Sequence, residues 1–159
     1  MGRVRLLDEE RLSEAIEIME INLLNRFLAA QEKSYETALQ ELKNGRKHSH
    51  WMWYIFPQLK ALGYSETALY YGITDMEEAK SYLAHPILNA RLVACCEAIL
   101  LHKDKSALRI LGDIDAMKLK SSMTLFALAS EEENTIFHQV LTQFYDGKMD
   151  AKTKEILSM

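Results

Sequence analysis

The chain is poor in everything that breaks or staples a fold. Glycine and proline together number 8 in 159 residues, about half the average share, so long uninterrupted elements are easy to place. Valine occurs three times against 23 leucines and 16 alanines, a mix that favours helix over strand. No apolar run reaches 18 residues, so no membrane span is expected. The N-terminus carries arginines without an apolar core leading to a small-residue cleavage site, so no secretory signal is visible. Basic residues are not in excess: 19 against 23 acidic ones give a net charge of -4, which argues against a dedicated nucleic-acid-binding domain. The two cysteines, Cys95 and Cys96, are adjacent. Neighbours on a helix point about 100° apart, so a bond between them would distort the backbone, and without a CxxC spacing they make no zinc site. They read as a reduced pair in a cytoplasmic protein. HExxH, GxxxxGK[ST] and GxGxxG are all missing, so zinc-protease, P-loop and Rossmann chemistry have no support, and neither metal nor cofactor is implied.

What is present is an ordinary globular composition, 48% hydrophobic and 26% charged, which excludes disorder. The length suits one domain, and the fold class expected is all-α, a single compact domain of about seven to nine helices. Asp8 can cap a helix to about Ile21, with a second over Leu23 to Ala30 and a third over Tyr35 to Lys43, opened by Ser34 and stopped at Asn44-Gly45. Thr74 and Glu77 suggest a capping box for a helix to about Leu83. Pro86 suits the first turn of a helix through Leu101, with Leu88, Leu92, Cys95 and Ile99 buried. Shorter helices are expected over Lys105 to Leu111 and Asp113 to Ala129, the second breaking near Ser121. Glu131 to Phe144 and a last helix capped by Asp150 follow. His102 and His138 stand alone and read as surface residues.

Three segments carry chemistry. In Arg46 to Leu59, basic groups run into Trp51, Trp53, Tyr54 and Phe56. Such rings bury 150–250 Å² each and belong to a core or a pocket wall, where tryptophan can stack a planar ligand. In Tyr82 to Leu92, His85 sits just before a helix start, and Arg91 on the flank of an apolar stripe can hold an anion. In Asp115 to Phe126, a helix restarting at Ser121 would offer free N–H groups, two hydroxyls and Lys118 to an anion. The alternative there is one continuous helix whose hydroxyls bond back to carbonyls four residues earlier.

The same segments resemble a bacterial family known as domain of unknown function 1810. The likeness runs through Arg26-Phe27-Leu28 with Ala30-Gln31, Ser49-His50-Trp51-Met52-Trp53, Ile55-Phe56-Pro57-Gln58-Leu59 and Tyr82-Leu83-Ala84-His85-Pro86. It continues through Arg91-Leu92, Asp115, Lys118, Ser121-Ser122-Met123-Thr124-Leu125-Phe126, and the spacing of Gly147, Asp150 and Thr153. Asn89 departs from the glycine usual in that pattern. The resemblance implies a single multihelical domain over residues 22–159, with residues 1–21 a helical extension before it, and brings no activity with it.

Two classes of function fit these residues. In the first, the protein binds, and in its stronger form processes, a small anionic ligand such as a nucleotide or phosphosugar derivative. Trp51, Trp53, Gln58, Arg91, Lys118, Ser121 and Ser122 would make the contacts, and His50 or His85 would serve as general acid/base. In the second, it is a non-catalytic helical interaction module, and the special residues only determine the fold. Convergence of the three segments on one cleft would favour the first, and an exposed apolar patch the second.

Overall fold

From Arg3 to Asn44 the sequence contains no glycine and no proline, and a single helix, α1 (Gly2–Asn44), runs through all of it. The computed structural model describes residues 2–159, with side chains from Asp8 onward other than that of Glu20. Three helices were expected in this stretch. Asn22 and Ser34 each cost a helix under about 1 kcal/mol, too little to break one whose inner face buries Leu24, Phe27, Gln31, Ala38 and Leu42 at steps of three, four, seven and four. The stop is where the sequence put it. Gly45 adopts φ +75°, its N–H bonds Leu42 O at 3.1 Å, and the Arg46 N–H bonds Glu41 O at 3.1 Å.

After α1 come α2 (Met52–Ile55), a 3-10 turn (Lys60–Leu62), α3 (Glu66–Tyr71) and α4 (Met76–Ala84). The cap of α4 falls one residue later than expected. Asp75 accepts from the Glu78 N–H at 2.9 Å, and Glu78 reaches back to the Thr74 N–H at 2.7 Å. The α5 helix (Pro86–Leu100) has proline in its first turn and buries Leu88, Leu92, Cys95 and Ile99, as its periodicity predicts. Then follow α6 (Ala107–Leu111), α7 (Asp113–Ala129), α8 (Ile136–Tyr145) and α9 (Ala151–Leu157), the last capped by Asp150. Of the two readings of Ser121, a restart or one continuous helix, the structure has the second: α7 does not break, and Ser121 Oγ donates to Met117 O at 3.2 Å. The acidic run Glu131 to Glu133 precedes α8 instead of opening it. Thr135 is the cap, paired in a box with His138, so His138 is a capping residue and not a free surface one. His102 is likewise engaged, its ring 2.7 Å from Leu42 O.

The fold is all-α, and the nine helices among the described residues enclose one core. α5 packs between α1 and α8, and α7 between α4 and α8. A chain of rings ties these layers together: Phe27 to Tyr82 at 5.1 Å, Tyr82 to Phe126 at 5.2 Å and Phe126 to Phe137 at 5.7 Å. No single described helix is long and apolar enough to cross a membrane. α4 and α5 together would be, but they bend by 91° between them and bury Tyr82, Leu88, Leu92 and Ile99 in the core.

Candidate functional site

The aromatic segment is pinned to the end of α1 by one carboxylate. Glu41, 8% exposed, accepts from the His48 N–H at 2.7 Å, the Ser49 N–H at 2.9 Å, the Ser49 hydroxyl at 2.6 Å and the Trp51 indole N–H at 3.0 Å. Burial alone would raise its pKa, but these four donors outweigh it and hold the carboxyl at about 2. Trp51 is 1% exposed with its only polar atom used, so it anchors the core and offers no stacking face to a ligand.

The expected residues fall into two groups. On one side Trp53, Gln58 and Lys118 meet, with Met52, Phe56 and Tyr71, around a cleft of about 10 Å³, room for one water. Lys118 Nζ lies 5.2 Å from the Trp53 ring centre and 3.8 Å from Asp115, whose carboxylate also takes Lys47 at 2.9 Å. On the other side stands Arg91, half-buried on α5, with its guanidinium 5.1 Å from the Tyr35 ring centre. Its one hydrogen bond among the described residues is long, 3.5 Å to Gln31 Oε1. Gln31, 1% exposed, donates to Tyr54 O at 2.7 Å and to the Tyr82 hydroxyl at 3.0 Å, so it is held rigidly in place. The Tyr54 hydroxyl is hydrogen-bonded to Ser34 Oγ at 3.0 Å and lies 3.4 Å from the carbonyl of His50, which can only accept. Tyr71 lines the small cleft and sits 5.2 Å from the ring of Tyr54, whose carbonyl anchors Gln31.

Among the described residues, no carboxylate lies within 4.0 Å of the Arg91 guanidinium. Arg26, the comparable arginine on α1, is paired to Glu78 at 3.0 Å. Tyr35 beside Arg91 has its pKa raised, by burial first and then by Cys95 and Glu36, with Arg91 pulling the other way. The Cys95 thiol is pushed up to about 12 by burial, which makes it a packing residue and not a nucleophile.

Other expected contributors are occupied elsewhere. His85 caps α5, its Nδ1 accepting from the Ile87 and Leu88 N–H groups at 3.2 and 3.3 Å, so the helix start it was expected to open to a ligand is closed by its own ring. Ser121 and Ser122 lie inside the continuous α7. The Ser122 hydroxyl is fully buried with no hydrogen-bond partner, and there is no second helix start there to hold an anion. Gln31, Tyr35 and Glu41 are not among the contacts expected by residue type, and Tyr54 is expected only as part of the aromatic run. The available signal was a polar residue on an apolar helical stripe: Gln31 falls in register with Leu24 and Phe27, and Glu41 sits beside Leu42. No three histidine, cysteine or acidic side chains among the described residues converge as a metal site.

No curated protein matches the chain. The crystal structure of a conserved hypothetical protein, Rv1873 from Mycobacterium tuberculosis, is similar to it, with 43% identity and a TM-score of 0.83. The match covers 86% of this chain and 96% of that one. Residues 21–157 match the family described as protein of unknown function, DUF1810. The chain belongs to the DUF1810 family.

Proposed function

We propose that the protein binds a small anionic ligand, of the nucleotide or phosphosugar kind, with its charged group on Arg91. One observation carries this reading: a half-buried guanidinium held by Gln31 and Tyr35, with no carboxylate among the described residues to neutralise it. Desolvating a cation is costly unless it is paired, and arginine's fork suits phosphate and carboxylate oxygens. Tyr35 supplies flat apolar surface next to it, and Lys118 with Trp53 is the second contact, reached from Gln31 by way of Tyr54 and Tyr71. Binding has more support than turnover. His85 is spent on its cap, and His50, exposed and with its ring unbonded, is the remaining general acid/base candidate. We also place the protein in a reducing cytoplasm, on the strength of two buried free thiols. The interaction-module reading is favoured by one feature, an exposed apolar stripe on α1 remote from Arg91.

The test is a thermal-shift screen against nucleotides, ADP-ribose, phosphosugars and small carboxylates, with wild type beside Arg91→Ala and Lys118→Ala. A ligand at a hundred times its Kd adds about 2.7 kcal/mol, or about 5–10 °C for a domain of this size. The expected result is a shift abolished by Arg91→Ala and reduced by Lys118→Ala. No shift across the panel, or one that survives Arg91→Ala, overturns the assignment.

A further inference from the structure

Six of the fifteen exposed large hydrophobic residues among those described fall within twelve positions of α1: Leu12, Ile16, Ile18, Met19, Ile21 and Leu23, each 48–63% exposed. Four of them, Leu12, Ile16, Met19 and Leu23, follow one another at steps of four, three and four. That is the seam spacing of a coiled coil. The seam belongs to the part of α1 lying almost wholly before the family match, which begins at residue 21. It needs no partner to become helical, because the same helix is anchored downstream by Leu24, Phe27, Ala38 and Leu42 in the core. Two heptads that would be too short to associate as a free peptide are therefore presented ready-formed.

We infer that this seam pairs with the same seam of a second copy of the chain, antiparallel, to form a dimer. In the antiparallel register Leu12 faces Leu23 of the second copy and Ile16 faces its Met19, so every seam residue meets an apolar one. The seam-flanking heptad positions hold Ser13, Ala15, Glu20 and Asn22 by sequence, while Glu10, Glu14 and Glu17 fall on outward positions where they do not meet across the seam. At its inner end the seam runs into a groove of about 220 Å³ lined by Leu23, Thr74, Asp75, Glu77 and Ser81. Antiparallel pairing brings Arg11 of the second copy, the one basic residue between positions 8 and 23, to the level of that acidic groove. Parallel pairing would instead set the two acidic grooves side by side.

Covering the four seam residues and their flanks removes about 400–500 Å² from each copy, roughly half the ~800 Å² per partner of a standard interface. The dimer is therefore a weak one, visible only when concentration is varied. Residues 8 to 23 carry six acidic side chains against Arg11, so added salt tightens it by screening.

Sedimentation velocity on the full chain from about 10 µM to 1 mM, a range that brackets weak dimers, tests this beside Ile16→Glu. Circular dichroism and the melting temperature report whether the variant folds. The expected result is a monomer–dimer equilibrium that tightens with salt, and a folded Ile16→Glu with its dimer weakened at least ~10-fold. Oxidative cross-linking should join the chains in the double variant Leu12→Cys, Leu23→Cys, and in neither single variant. A monomer at every concentration overturns the proposal and leaves the seam to a different partner, such as a basic helix. A dimer unaffected by Ile16→Glu, or cross-linking by Leu12→Cys alone, overturns it as well.

Discussion

Glu41 and Arg91 are both charged groups drawn partly out of water, and the molecule treats them in opposite ways. Glu41 collects four donors from the Arg46–Trp51 turn and leaves none of them spare. Arg91 has one 3.5 Å bond and an aromatic ring. A buried charge whose partners all belong to the fold is a fold determinant; one whose partners fall short of its donors is where a ligand completes the set. Their side chains look equally polar in the sequence. Only the count of satisfied bonds separates them.

The largest effect expected from this contrast is that of Glu41→Ala. It strands two backbone N–H groups and the Trp51 indole N–H, and should cost about 3–5 kcal/mol, the range for breaking a buried charged network. Urea denaturation measures it directly. Arg91→Ala should fall within about 0.5 kcal/mol of wild type, because it removes almost nothing that the fold uses. Equal costs for the two substitutions would dissolve the distinction between them.

The same contrast can be read by pH. Glu41 is depressed from 4.5 to about 2, so its folded form favours the ionised carboxylate. The stability this contributes is present in full above pH 4.5 and is lost as the pH falls from there towards 2, a loss of about 3 kcal/mol by linkage. Melting temperatures of wild type should therefore fall steeply across that window, and those of Glu41→Gln should fall less. Parallel curves would show that the four bonds do not hold the carboxylate as the geometry requires.

Much of the fold is legible in the residues because its signals are local. Pro86 opens α5, Gly45 closes α1, and Asp150 caps α9, each through groups within a few positions of itself. The errors arise where a distant contact overrules a local one. Asn22 and Ser34 look like breaks, yet the burial of α1's inner face carries the helix through both. Ser121 looks like a cap, yet α7 packs against α4 and α8, buries Ser121 to Ala127, and continues. The site divides in the same way. Arg91 and Lys118 stand out by residue type, and Trp53 and Gln58 do come to Lys118. Gln31 and Glu41 gain their importance from Tyr82, 51 positions away, and from a turn that folds back on α1, so no local pattern announces either.

Ser122 is a third case, a buried polar group with no partner at all, and its replacement is the smallest and most diagnostic change. Its neighbours show what a hydroxyl in α7 ordinarily does. Thr124 donates to Lys120 O at 2.8 Å and accepts the Asp150 N–H at 2.8 Å, while Ser121 bonds back to Met117. Ser122 Oγ does neither. An unpaired hydroxyl in an apolar setting carries a desolvation penalty that alanine would relieve, so Ser122→Ala should be neutral or stabilising by up to about 1 kcal/mol. Thr124→Ala, which strands the Asp150 amide, should instead cost about 1–2 kcal/mol. Urea denaturation of the two variants side by side makes the comparison. If Ser122→Ala destabilises as much as Thr124→Ala does, its hydroxyl has a partner in solution.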